Sequence, residues 1–142
     1  MKSAVVFGRA PGKLFLTGEW AVLAGAPAVV AAVDRWAEAR FEPSGVEGPL
    51  VVESLAEGRT LRLGDDRPAA HEGDVAAACA VRQVVGPLGG RLTIDSRPFL
   101  IGERKLGLGR SAATLAASAA ALLAARAGAD REEVPRVALA AE

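Results

Sequence analysis

Ten consecutive residues, Lys105-Leu-Gly-Leu-Gly-Arg-Ser-Ala-Ala-Thr114, carry the strongest chemical signal in the chain. Gly107 and Gly109 can take positive φ and let the backbone approach a ligand closely. Arg110, Ser111 and Ala112 then open an alanine-rich stretch that favours helix, and the first N–H groups of such a helix have no partner within it. Amides presented this way bind anions, so the segment points to nucleotide phosphates.

Other readings of the glycine segment compete. Gly107-x-Gly109-x-x-Ala112 has the spacing of a dinucleotide-binding turn, which requires a following strand that ends in an acidic residue about 20 positions on. Asp130 has the spacing but stands before Arg131-Glu132-Glu133, a pattern of a helix start. No Walker loop is present. The plainest alternative is a glycine lead-in to a core helix with no ligand at all.

A second motif weighs against that alternative. Ala10-Pro-Gly-Lys-Leu-Phe-Leu-Thr-Gly-Glu-Trp-Ala-Val-Leu23, followed by Gly25-Ala-Pro-Ala28, resembles the first motif of the GHMP small-molecule kinases. Gly107-Leu-Gly-Arg-Ser-Ala-Ala113 resembles their second, phosphate-binding motif, and the two stand in the family's order. The wording Gly18-Glu-Trp-Ala-Val-Leu23 and Lys105-Leu-Gly-Leu-Gly109 is most similar to phosphomevalonate kinases, with mevalonate kinases as near neighbours.

The resemblance implies ATP and Mg2+ as cofactors and a small mevalonate-pathway metabolite as substrate. It implies that Lys105, Gly107, Leu108, Gly109, Arg110, Ser111 and Ala112 surround the nucleotide, with Ser111 also on the metal. Lys13 would neutralise the phosphoryl group in transit, and phosphoryl transfer needs little beyond positioning and charge stabilisation. Glu19 would tether Lys13 or a substrate hydroxyl, or else be a solvated structural residue. Two positions depart from the family. Arg110 replaces a serine or glycine, and its guanidinium could grip phosphate, occupy the pocket, or point outward to solvent, an outward or auxiliary role being slightly favoured. Trp20 replaces Tyr or His, which removes a polar group from that place.

Composition narrows the field. Seventeen basic and seventeen acidic residues balance, and aromatics make up only 4%, which argues against nucleic acid or an anionic membrane as partner. Arg97, Arg104 and Lys105 form a local basic group that could attract a phosphorylated substrate or simply be solvated. Cys79 is the only cysteine, which rules out an internal disulfide and fits a reducing cytoplasm. It falls within an amphipathic helix, where a small buried thiol is favoured over a nucleophile. His71 is the only histidine, so neither a His/Cys metal cluster nor a Ser–His triad can be assembled. No signal peptide is evident, and the uncharged stretch 111–125 is shorter than the ~20 residues a membrane span needs.

Strands are expected at about 3–9, 13–18, 28–41, 49–55, 58–63 and 90–96, and helices at about 73–86, 109–127 and 131–142. Pro11-Gly12 reads as a turn between the first two strands, and Pro43 to Pro49 as a hairpin connection. Strands first and helices later imply an α+β domain, with helices packed on one face of a mainly antiparallel sheet. That agrees with the N-terminal, ribosomal-protein-domain-2-like ATP-binding domain that the resemblance implies for residues 1–142. With 51% hydrophobic residues and a mean hydropathy of +0.24, the chain suits a part whose apolar face meets a further domain in cis, and a homodimer is left open.

In the family, a Gly-Ser-Gly-x-Asp-type segment carrying the catalytic base, and then a second domain, follow the helix that residues 136–142 resemble. The expectation is therefore that a polypeptide of this extent does not turn over substrate by itself. Substrate-dependent release of ADP by the purified chain, at family-like rates, would refute it.

Overall fold

Alternating small and apolar residues between Val6 and Gly45 build the two longest strands, β1 (Val6–Thr17) and β2 (Val29–Gly45), paired antiparallel. The structure, a computed structural model, describes residues 4–45, 48–63 and 73–126. Three shorter strands complete a five-stranded sheet: β3 (Leu50–Ser54), β4 (Arg59–Leu63) and β5 (Gly89–Asp95), in the order β1-β2-β5-β3-β4. All pairings are antiparallel except β3 with β5. A small hairpin of β6 (Leu100–Ile101) and β7 (Arg104–Lys105) precedes the glycine loop.

Helix α1 (Asp74–Val85) packs against β3 and β4, and α2 (Arg110–Ala124) against β1, β2 and α1. The core lies between this helical layer and one face of the sheet. Phe41, Leu50, Val52, Leu92 and Ile94 from the strands meet Val75, Val81, Leu115 and Leu122 from the helices. On strands, alternate positions point to opposite faces, and charge pairs such as Arg9–Glu38 and Arg91–Glu53 occupy positions opposite to the apolar ones. The α+β architecture expected from the sequence is thus the observed one.

Two local expectations are corrected. Pro11-Gly12 is no turn, because β1 runs through it. A bulge lies there instead: Pro11 opposes Trp36 while Gly12 opposes Val33, so Asp34 and Arg35 have no opposite number. Proline lacks an N–H and glycine packs poorly in a ladder, which suits both to a bulge inside a strand as well as to a turn. The segment Pro43 to Pro49 is no hairpin connection either, since β5 inserts between β2 and β3. Long-range pairing of β5 with both strands outweighs the local turn signal. The expected helix over 131–142, and His71, lie outside the described residues.

Alanines and one glycine allow α2 to lie almost on the backbone of β1. A Cβ built on Gly8 would collide with the Ala117 carbonyl oxygen and come within 2.6 Å of the Ala121 amide nitrogen. Helix backbone cannot yield there without moving all of α2. Gly8→Ala should therefore lower the unfolding free energy by about 1–3 kcal/mol, read as an earlier urea midpoint with unchanged slope.

Candidate functional site

The glycine loop is held from two directions. Past the bulge, β1 reaches the loop, and the Lys13 amide donates to the Leu108 carbonyl at 2.8 Å. Neighbouring Gly12 has no room for a side chain, since a Cβ would stand 2.7 Å from both the Leu108 carbonyl oxygen and the Phe99 ring. From the other direction the β6–β7 hairpin brings in Lys105, and Leu106 donates to the Phe99 carbonyl at 3.0 Å.

Gly107 and Gly109 both adopt the left-handed conformation, with φ of 71° and 72°. This swings the chain into α2 without a capping side chain: Gly109 is its N-cap, and the first helical bond runs from the Ala113 amide to the Gly109 carbonyl. The amides of Arg110, Ser111 and Ala112 therefore precede the helical ladder and are free of a side-chain cap. A cavity of about 650 Å³ opens beside them. Its walls include Lys105, Gly107, Leu108, Gly109, Arg110 and Ser111, facing Gly73, Asp74 and the small side chains Ala76, Ala77 and Ala80 of α1. Phe99 and Leu115 add apolar surface. A polar mouth at a helix start beside a flat apolar recess can hold a phosphate chain and an attached ring.

Lys13 is brought to the same place from 96 positions away in sequence, although it is not itself a wall of the cavity. Its aliphatic stem lies along Gly109: a Cβ there would meet Lys13 Cγ at 2.6 Å. Only glycine at 109 satisfies both the positive φ and the lysine stem. The ammonium is exposed and stands 5.4 Å from the Phe15 ring centroid. Ala112 lies in the first turn of α2 outside the cavity walls, and Glu19, exposed beyond the end of β1, is not one of them. Trp20, 79% exposed, is not a wall either.

Arg110 does not point outward. Its side chain, 15% exposed, turns back beneath the start of α2, where Nε donates to Ser96 Oγ at 2.9 Å and a terminal nitrogen donates to Glu57 Oε1 at 2.8 Å. The same nitrogen lies 3.1 Å from Asp74 Oδ2. Two carboxylates within reach outweigh solvation for a guanidinium, which is why the outward reading fails.

Asp74, Glu57, Ser54, Ser96 and Thr114 form a polar cluster that the sequence reading did not identify. Asp74 is 1% exposed, and its carboxylate accepts from Ser54 Oγ at 2.8 Å, Ser96 Oγ at 2.6 Å and Thr114 Oγ1 at 3.1 Å, besides its ion pair with Arg110. These contacts tie its side chain to four others from three parts of the chain, which makes it a structural centre. A faint trace exists in the sequence: an acid opening an alanine-rich helix, and a Thr four residues after Arg110 on the helix that follows the glycine loop.

Arg97 is likewise engaged. It holds Asp95 with two side-chain hydrogen bonds of 2.9 and 2.7 Å, which keep the Asp95 carboxyl below its usual range, so the local basic group is reduced to Arg104 and Lys105. Burial pushes the Cys79 thiol up, with Arg82 opposing, which disfavours a nucleophile. Among the described residues no group of three His, Cys, Asp or Glu side chains could hold a metal, and no helix is long and apolar enough to cross a membrane. The Ser111 hydroxyl is exposed at the cavity wall.

No protein-family model matches the sequence. No curated protein matches it either. Solved structures do match. A mevalonate kinase from Methanococcus jannaschii superposes with a TM-score of 0.76 at 18% identity, covering 100% of this chain and 47% of that one. A Streptococcus pneumoniae phosphomevalonate kinase, solved with phosphomevalonate and AMPPNP, gives 0.74 at 18% identity over 96% and 42%. The fold is thus one that these kinase structures contain over part of their length. A Listeria innocua protein gives 0.79 at 18% identity over 97% and 41%, so the chain spans less than half the length of all three.

The cluster around Asp74 is a testable structural element. Asp74→Ala leaves Arg110 with one carboxylate and three hydroxyls without their acceptor. The expected loss is about 3–5 kcal/mol, measured by guanidinium unfolding, with a smaller loss for Asp74→Asn.

Proposed function

We propose that this chain is the nucleotide-binding N-terminal part of an ATP-dependent small-molecule kinase. The substrate we favour is phosphomevalonate, converted to its diphosphate in the cytoplasm. The observation that carries the reading is the convergence of Lys13 on Gly109, at the uncapped start of α2. Two segments distant in sequence supply an ammonium and a row of free amides at one edge of one cavity, a set suited to a phosphate chain.

In this reading the amides of the Gly109–Ala112 turn donate to phosphate oxygens, and the Ser111 hydroxyl helps hold Mg2+. Bound MgATP supplies the phosphoryl group. Lys13 places positive charge where charge shifts as that group leaves, and Lys105 adds attraction at the cavity wall. The recess lined by Ala76, Ala77, Ala80 and Leu115 leaves space for the base. In this reading Asp74 serves to hold Arg110 and the two helix starts. The base, and the residues that choose between mevalonate, its phosphate and other alcohols, are sought outside the two motifs. The choice of phosphomevalonate rests on the wording of the two motifs, and mevalonate kinase is the alternative.

A second reading, a nucleotide-binding module without turnover, uses the same cavity, and Arg110 in the phosphate loop lends it weight. One pair of measurements separates the readings. MgAMPPNP at about 100 times its dissociation constant should stabilise the folded chain by ~2.7 kcal/mol. Absence of any shift in the complete gene product leaves only a structural role for the loop. In that complete product, Lys13→Met should lower kcat by roughly 10²–10³-fold with a much smaller change in nucleotide affinity. No detectable activity before substitution favours the module.

A further inference from the structure

We infer that Arg110 is a positioning residue for the phosphate loop, acting through Glu57 and Asp74 and not on the phosphate. The nucleotide part of this inference rests on the proposed function above. Arg110 is the first residue of α2, directly after Gly109. Its guanidinium faces away from solvent and is bonded to groups from three other places in the chain. Ser96 follows β5, Glu57 lies in the β3–β4 turn, and Asp74 opens α1.

One atom stands at the centre of this arrangement. Glu57 Oε1 accepts from Arg110 at 2.8 Å and from the Asp74 amide, also at 2.8 Å. The second bond caps α1, whose own N-cap residue, Gly73, has no side chain. A Cβ on Gly73 would collide with the Glu57 carboxylate, so glycine there admits the cap. The starts of α1 and α2, which face each other across the cavity, are thus referenced to the same oxygen.

For Arg110 to reach a phosphate it would have to leave two mostly buried carboxylates without their cation, a costly exchange. Held where it is, it fixes the backbone of Gly109 to Ser111 before a ligand arrives. Binding then need not order those amides, which is the advantage of preorganisation.

Glu57→Gln separates the two roles by sign, because Gln keeps the shape and an acceptor oxygen but removes the charge. Positioning predicts weaker MgAMPPNP binding by about tenfold, the scale of one charge-assisted hydrogen bond. It also predicts faster amide hydrogen exchange at 109–112 in the unliganded protein, with exchange at 117–122 unchanged. The milder Ser96→Ala should shift both readouts in the same direction, and should carry the test if Glu57→Gln fails to fold. Arg110→Ala combined with Glu57→Gln should bind no more weakly than Arg110→Ala alone.

Affinity that is unchanged or raised in Glu57→Gln, or exchange at 109–112 that does not change, overturns the inference. A wild-type chain that fails to bind MgAMPPNP overturns the nucleotide reading instead. The exchange measurement then still decides whether Arg110 holds the loop.

Discussion

The Asp74 carboxylate, closed off from water between two helices and two strand ends, is the constraint on which the rest of the arrangement rests. A buried anion is tolerated only when its acceptor positions are filled and a cation stands beside it. Ser54, Ser96 and Thr114 donate to it, and Arg110 is the cation. The partners come from the end of β3, the residue after β5 and the start of α2, which supplies both Thr114 and Arg110, so meeting the needs of this one group brings the ends of β3 and β5 and the beginnings of both helices to a single place. The cavity lies between those two helix beginnings.

A second constraint works on the backbone. Gly8 lets α2 settle on β1, Gly12 lets β1 touch the loop carbonyl, and Gly109 admits the Lys13 stem. At each position a side chain would occupy space already taken by backbone or by a required neighbour. The bulge at Pro11/Gly12 contributes by realigning the second half of β1 before Lys13. The lysine, the loop and the helix start are therefore close because the chain carries no side chains between them. Such contacts leave little room for adjustment, as expected for a site that must aim charges at a ligand.

The parts of the site that were legible in the sequence are those whose chemistry is local. Gly107 and Gly109 announce positive φ, the alanines after them announce a helix, and a helix start announces free amides. The Asp74 cluster was not legible, because its members are spread from residue 54 to residue 114 and all but Thr114 stand outside the two motifs. Nothing in the neighbourhood of Arg110 along the chain shows that two carboxylates await it, so an outward side chain was the natural local reading. Likewise, Pro11-Gly12 and the segment from Pro43 to Pro49 carry turn residues. Whether such residues make a turn, a bulge or a crossing is decided by which strands pair.

By itself, then, the sequence determined the element types, the layered α+β character and the phosphate-compatible loop, since periodicity, glycine placement and helix propensity act over a few residues, while the candidate ammonium came from the resemblance of its motif. Tertiary structure alone decided the strand order with β5 inserted at the centre, the approach of Lys13 to Gly109, and the inward fold of Arg110. Those outcomes depend on burial and charge neutralisation between segments far apart in the chain, and such energies exist only once the segments have met.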